Sequence, residues 1–170
     1  MGVKYLIAYA TRFGTTLQVA DAIAHTLQSE GKDVDILSIK DITSLNGYQA
    51  IFLGSAVNYG TWLPEAVEFV KTMQEDLNRI PVALFTVHIT NVGDDETSRL
   101  KRHSFADEVR ALINPVDEAF FAGKFDRRAA SELLPRWLAW LVPTIDLRKW
   151  DLIRDWTKQA VTNLESHIPS

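Results

Sequence analysis

The segment TRFGTT, residues 11–16, joins an apolar run to a helical pattern and combines hydroxyl groups, an arginine and a glycine. Where a strand leads into a helix, unpaired backbone N–H groups and the positive end of the helix dipole favour an anion. Gly14 allows a tight turn, and the hydroxyls of Thr11, Thr15 and Thr16 can donate to phosphate oxygens. The segment therefore predicts a site for a terminal phosphate, with Arg12 either adding charge or pointing to solvent. The alternative is an ordinary helix cap at Thr15 or Thr16.

The segment differs from the two commonest phosphate-binding motifs. A P-loop requires a lysine directly after its last glycine, and none follows Gly14. The dinucleotide fingerprint requires a second and a third glycine, which are also missing. The predicted site is therefore neither that of a P-loop nucleotide hydrolase nor that of a dinucleotide-binding dehydrogenase.

Hydrophobic periodicity predicts the elements that position this segment. Short apolar runs typical of buried strands alternate with longer patterns of helical period. Strands are predicted at residues 3–10, 33–39, 48–56, 80–87 and 116–123, and helices at 16–31, 64–77, 96–113 and 147–164. This alternation predicts an α/β protein with a doubly wound parallel sheet and helices on both faces. The length of 170 residues predicts a single domain over residues 1–170.

The segment TRFGTT resembles the flavodoxin phosphate loop, Ser/Thr-x-x-Gly-x-Ser/Thr, with Thr11, Gly14 and Thr16 at its defining positions. The resemblance covers the whole chain in strand order and loop position. It implies a flavodoxin-like five-stranded sheet with strand order 2-1-3-4-5, and FMN as the cofactor at the switch point of the sheet.

Two further stretches resemble the menaquinone-dependent protoporphyrinogen dehydrogenases within the flavodoxin-like group. The first is LGSAVNYGTW, residues 53–62, which contains a Tyr-Gly pair where such proteins place a flavin loop. The second is FFAGKFD, residues 120–126, with the later residues Asp146, Arg148, Lys149, Asp155 and Trp156. The resemblance implies an FMN-dependent oxidoreductase similar to protoporphyrinogen dehydrogenase.

The resemblance also implies that the loops after the third and fourth strands hold the flavin ring. Such a ring needs an apolar or aromatic slot and backbone polar groups at its pyrimidine edge. In these loops the predicted cofactor-binding residues are Ser55, Ala56, Val57, Asn58, Tyr59, Gly60, Thr86, Val87, His88, Asn91 and Gly93. In the first loop they are Thr11, Arg12, Phe13, Gly14, Thr15 and Thr16.

Tyr59 and Trp62 are candidates to cover one ring face, although Trp62 is equally suited to pack against the following helix. The loop after the fourth strand lacks the Tyr or Trp that electron-carrier flavodoxins stack there, which leaves room for a substrate. His88 fits a neutral loop residue better than a catalytic base, and Asp94 or Asp95 is expected to cap the next helix. No residue is predicted to be catalytic, and the four histidines lack metal-ligand spacing.

An aromatic- and arginine-rich insertion, about residues 124–147, separates the fifth strand from the last helix. Its sequence AASELLPRWLAWLVP has an apolar stripe at helical spacing, and Pro135 is tolerated only near a helix start. One interpretation is a core-facing helix. The other is a lid for a hydrophobic substrate or quinone, with peripheral membrane contact through residues 131–143. The basic residues that would attract acidic groups or anionic lipid are Lys124, Arg127, Arg128, Arg136, Arg148 and Lys149.

Composition narrows the function classes. The formal net charge of −4 argues against a nucleic-acid partner, which usually meets a basic face. The absence of cysteine excludes disulfides, thiolate metal sites and a cysteine nucleophile, and it fits a cytoplasmic protein. No apolar run predicts a signal peptide or a membrane span. We therefore expect a cytoplasmic location, with any peripheral contact at the inner face of the membrane.

Three functions are compatible with these features. The first is an FMN-dependent oxidoreductase that passes electrons between a hydrophobic, protoporphyrinogen-like substrate and a quinone-type acceptor. The second is a flavodoxin-type electron carrier that docks a redox partner protein, although such carriers are usually more acidic than this chain. The third is a binding module that has lost the flavin, and the intact segment TRFGTT argues against it.

Overall fold

A computed structural model describes residues 2–169. Its main sheet contains β1 (Lys4–Ala10), β2 (Asp33–Ser38), β3 (Ala50–Asn58), β4 (Thr61–Trp62), β5 (Val82–His88) and β6 (Asp117–Ala122). Five of these strands are parallel and lie in the order β2-β1-β3-β5-β6, while the short β4 pairs antiparallel with β3. The predicted flavodoxin-like order is confirmed, since the first long strand lies between the second and the third. The carboxyl ends of β1, β3 and β5 therefore meet at one edge.

Helices cover both faces of the sheet because the side chains of the buried strands alternate in direction. The helices are α1 (Thr15–Ser29), α2 (Pro64–Thr72), α3 (Gln74–Leu77), α4 (Glu96–Ser104), α5 (Asp107–Arg110), α6 (Arg127–Leu133), α7 (Arg136–Ala139) and α8 (Trp150–Ser166). Tyr5 and Ile7 of β1 pack in the core beneath α1 and α8. Leu6 and Ala8 pack on the other face, in the core that α2 and α5 cover.

The predicted single helix at residues 96–113 is wrong, because the chain breaks at Phe105 and Ala106. Both residues are buried, whereas α4 buries none of its own residues and lies on the surface. The carbonyl of Phe105 also accepts a hydrogen bond from the backbone N–H of Trp62 at 3.1 Å. The helix therefore ends where the chain turns inward to contact β4. The predicted helix at residues 64–77 is divided in a similar way, at Met73.

The insertion folds as a flap of short elements, and its interpretation as a core-facing helix is wrong. The strands β7 (Lys124–Phe125) and β8 (Ile145–Asp146) pair antiparallel at its base. The chain breaks before Pro135, which is the N-cap of α7, and the last helix starts at Trp150. Trp137 and Trp140 are 70% and 67% exposed, so the apolar stripe faces outward.

Candidate functional site

Three loops at the carboxyl edge of the sheet enclose a cavity of about 300 Å³. They follow β1, β3 and β5, and the flap closes the fourth side with residues that include Phe125, Ala129 and Leu133. This volume lies at the lower end of the range of about 300–1,000 Å³ that is typical of small-molecule sites. The convergence follows from the strand order, which puts β1, β3 and β5 next to one another.

The first loop turns through Gly14, whose φ is 87° and which forms the N-cap of α1. The Thr11 hydroxyl accepts a hydrogen bond from the Gly14 N–H at 2.9 Å, which fixes the turn. No side chain caps α1, and no acidic residue occupies its first turn. The expected alternative, a side-chain cap at Thr15 or Thr16, is therefore wrong, and the N–H groups in the first turn of α1 have no side-chain acceptor.

The hydroxyl of Thr16 is the strongest sign that something is bound at this helix start. Thr16 is fully buried. Its Oγ1 is the one sealed side-chain polar atom without a hydrogen-bond partner within residues 2–169. A buried hydroxyl without a partner is costly, and native proteins nearly always satisfy such groups. Because Thr16 also lines the cavity, a small rotation of its side chain toward a ligand oxygen there would provide the missing partner.

Arg12 binds to the flap instead of pointing to solvent. Its guanidinium forms an ion pair with Glu132 of α6, with an Nη2–Oε2 distance of 2.7 Å and a second contact of 3.2 Å from Nε. A second polar contact of the flap base runs from Arg148 to Gln18 of α1. The first loop and the flap are therefore joined at the rim of the cavity.

The loop after β3 is a tight hairpin that presents Tyr59 to solvent. Tyr59 and Gly60 connect β3 to β4 with φ values of 50° and 82°. Positive φ at both central residues is what the common two-residue hairpin turn requires. Tyr59 is 94% exposed and borders the cavity. Trp62 instead lies in the core and donates from Nε1 to the Thr86 hydroxyl at 2.8 Å, so it does not cover a ring face.

The strand β5 ends at His88, which is buried against Phe105 just before the third loop. Nδ1 of His88 lies 2.7 Å from the carbonyl oxygen of Thr90, which can only accept, so the proton is on Nδ1. Burial lowers the pKa of His88 below its usual value, the nearby Arg102 lowers it further, and the bond to Thr90 opposes this shift. His88 is therefore neutral near pH 7.

Five of the predicted cofactor-binding residues do not line the cavity: Gly14, Ser55, Thr86, Asn91 and Gly93. The hydroxyl of Ser55 accepts from the Leu63 N–H at 3.1 Å, and that of Thr86 accepts from Trp62. Both side chains point into the core because strand side chains alternate. The carbonyls of Asn91 and Gly93 accept from Arg102, which holds that part of the loop away from the cavity.

A model of the flavodoxin domain matches residues 6–133, about three quarters of the chain. The chain belongs to the flavodoxin-domain family. This membership indicates FMN as the cofactor, and the residues present fit that group. The open start of α1 and the unpaired Thr16 hydroxyl suit a phosphate, while Ala56, Val57 and Val87 give the cavity an apolar wall.

Two curated relatives of this flavodoxin-domain chain are quinone-dependent protoporphyrinogen IX dehydrogenases. The one from Leishmania major is 34% identical over 90 residues, which are 51% of this chain and 39% of the relative. The one from Escherichia coli K12 is 29% identical over 89 residues, which are 51% of this chain and 49% of the relative. The matched regions are therefore less than half of each relative. At the level of the family, these similarities support an oxidoreductase or electron-transfer function.

A solved flavodoxin structure from Streptococcus pneumonia TIGR4 is similar in fold to this flavodoxin-domain chain. The TM-score is 0.61 at 16% identity, and the match covers 98% of this chain and 100% of the other. At this identity the likeness concerns the fold alone.

The predicted cofactor-binding residues omit eight residues that line the cavity. They are Ile89, Thr90, Gly123, Lys124, Phe125, Ala129, Glu132 and Leu133. Ile89 and Thr90 lie in the predicted loop after the fourth strand, and most of the others belong to the flap. No signal in the sequence marks the flap residues as cavity wall, because the ion pair that joins the flap to the first loop connects Arg12 with Glu132, 120 residues away.

Proposed function

We propose that this protein is an FMN-dependent oxidoreductase that passes reducing equivalents from a hydrophobic, protoporphyrinogen-like substrate to a quinone-type acceptor. FMN, when bound, supplies the capacity to accept and release electrons. The observation that carries the proposal is the cavity at the switch point of the sheet, with its partnerless Thr16 hydroxyl and its wall of flap residues.

The residues of this chain have separable roles in the proposal. Thr11, Thr15 and Thr16, with the backbone at the start of α1, hold the phosphate. The hairpin residues Asn58 and Tyr59 border the ring. Tyr59 is free to cover one ring face, because its side chain is almost fully exposed.

The flap favours an enzyme over a pure electron carrier. Phe125 and Leu133 extend the apolar wall beyond the three loops, which gives a second small molecule a surface to contact. Ile89 and Thr90 follow His88, where a stacked Tyr or Trp would close the other ring face. Both features support access of a hydrophobic molecule to the cofactor site.

The outward side of the flap supports peripheral contact with a membrane that carries the quinone. Trp137, Trp140 and Leu141, which we call the tryptophan face, are each at least 67% exposed. Arg128 and Arg136 lie beside them, and such a mixture suits an anionic bilayer surface. No helix within residues 2–169 is long and apolar enough to cross a bilayer.

The test uses protein saturated with FMN, a reduced tetrapyrrole and a soluble quinone. We expect the fluorescent porphyrin to appear only when quinone is present. Trp137→Ala should raise the apparent KM for quinone and leave FMN affinity unchanged. Reduction of a protein acceptor without any turnover of the small molecules would favour the electron-carrier alternative. Failure to take up FMN would contradict both.

A further inference from the structure

A second groove of about 320 Å³ adjoins the cofactor cavity at His88. The loop after β5, the strand β6, the helix α4 and the start of α8 border it. His88 lines both openings, and Ala122, its pairing partner in β6, lines the groove. The next residue, Gly123, lines the cofactor cavity. The two openings are thus neighbours that meet at His88.

The groove combines an apolar floor with two cationic side chains. Phe120, Leu147 and Leu152 contribute apolar surface that is half-buried or exposed. Arg102 donates from Nη1 alone, to the carbonyls of Asn91 and Gly93, so its other nitrogens bind no group within residues 2–169. Lys149 forms no ion pair in the described part of the chain. Asp94 also borders the groove and balances only one of the two cations.

We propose that this groove is a second ligand site, which binds a small amphiphilic carboxylate through Arg102 and Lys149 and holds its apolar body against Phe120, Leu147 and Leu152. A carboxylate can accept charge-assisted hydrogen bonds from both cations, and an apolar body displaces water from the floor. A bare inorganic anion would leave the floor unused, and a neutral apolar molecule would leave the cations without a partner. The chemistry of the lining selects a molecule with both parts.

The experiment measures binding of anthroate, a fluorescent aromatic carboxylate, to the FMN-saturated protein, with neutral anthracenemethanol as the comparison ligand. We expect Lys149→Met to weaken anthroate binding about tenfold, the effect of losing one charge-assisted contact, and to leave anthracenemethanol unaffected. Leu152→Gln should weaken both ligands by a similar factor. Lys158→Met, which removes an exposed lysine of α8 outside the groove, should change neither.

Equal affinity for the acid and the alcohol would overturn the proposal, as would an anthroate affinity that Lys149→Met leaves unchanged. Equal losses in Lys149→Met and Lys158→Met would indicate a general charge effect and would also overturn it. The result does not depend on turnover. A protein that binds anthroate in this manner but oxidises no tetrapyrrole would contradict the proposed function alone.

Discussion

At the scale of single residues, replacing Thr16 should weaken cofactor binding without lowering the stability of the fold. We predict that Thr16→Val weakens FMN binding by about 1–3 kcal/mol, because a phosphate oxygen loses a buried donor. The free energy of unfolding of the FMN-free protein should stay the same or rise, since the variant removes a polar atom that is buried without a partner. Fluorescence titration with FMN and thermal melting of the FMN-free protein measure the two quantities.

Thr26→Val is the matched control, because Thr26 is also buried in α1 but donates to the Ala22 carbonyl at 2.9 Å. It should lower stability and spare FMN affinity. Riboflavin, which lacks the phosphate, should bind wild type and Thr16→Val equally well. Equal losses for riboflavin and FMN would place the Thr16 hydroxyl away from the phosphate.

Glu132 brings a negative charge to the cavity that is predicted to hold a phosphate. Its ion pair with Arg12 is about half exposed, and pairs of that kind contribute only about 0–1 kcal/mol. We predict that Glu132→Gln strengthens FMN binding by about 0.2–1 kcal/mol, because repulsion is removed and Arg12 is released. The gain should shrink as salt is added and should be absent for riboflavin. Weaker FMN binding in the variant would mean that Glu132 supports the site through the flap.

The pH dependence of stability reports the environment of His88. Its pKa in the folded protein is lowered by burial, so the unfolded chain, with a histidine pKa of about 6.5, binds the proton more readily. The contribution of His88 to the free energy of unfolding should therefore fall as the pH drops below about 6.5, and stay level above it. His88→Gln should lose this dependence, so its stability relative to wild type should improve between about pH 7 and pH 5. A constant difference over that range would contradict the assignment.

At the scale of elements, the sequence was sufficient to predict the strands and their order, but not the conformation of the flap. Near-continuous apolar runs such as Tyr5 to Ala8 identify buried parallel strands, and strand order then brings three loops to one edge. Periodicity failed at Phe105, where a tertiary contact with Trp62 ends a helix that the pattern continues. It failed again at the flap, because an apolar stripe has the same spacing whether it faces a core or solvent. The predicted residues absent from the cavity wall show that proximity to a loop does not fix side-chain direction, since Ser55 and Thr86 lie in strands and point into the core.

The different surroundings of two tryptophans lead to a prediction about element stability. Trp62 is buried and hydrogen-bonded to Thr86, so Trp62→Ala should cost about 3–5 kcal/mol of unfolding free energy. Trp140 is exposed, with the Arg127 guanidinium 4.3 Å from its ring centroid, so Trp140→Ala should cost only about 0.5–1 kcal/mol. Chemical denaturation of both variants measures the contrast. A loss in Trp140→Ala as large as that in Trp62→Ala would restore the core-facing interpretation of the flap.

At the scale of the whole molecule, the flap contributes both a wall of the cofactor cavity and an exposed aromatic surface. The cofactor cavity opens between the three loops and the flap, and the tryptophan face lies on the outward side of the same flap. In the proposed function, a membrane that contacts the tryptophan face would lie against the flap that forms one wall of the cavity. This arrangement would let a quinone reach the cofactor site directly from the bilayer.

Sedimentation with lipid vesicles tests this arrangement. We predict that the protein binds vesicles containing anionic lipid more tightly than zwitterionic ones, because each basic residue near an anionic surface adds about 1 kcal/mol. The double variant Trp137→Ser and Trp140→Ser should lose most of this binding, since it removes the largest apolar side chains of the tryptophan face. Leu100→Ser is the control, because Leu100 is similarly exposed but lies on α4, and it should bind as wild type does. Equal loss in both variants, or binding that ignores lipid charge, would contradict a role of this face at the membrane.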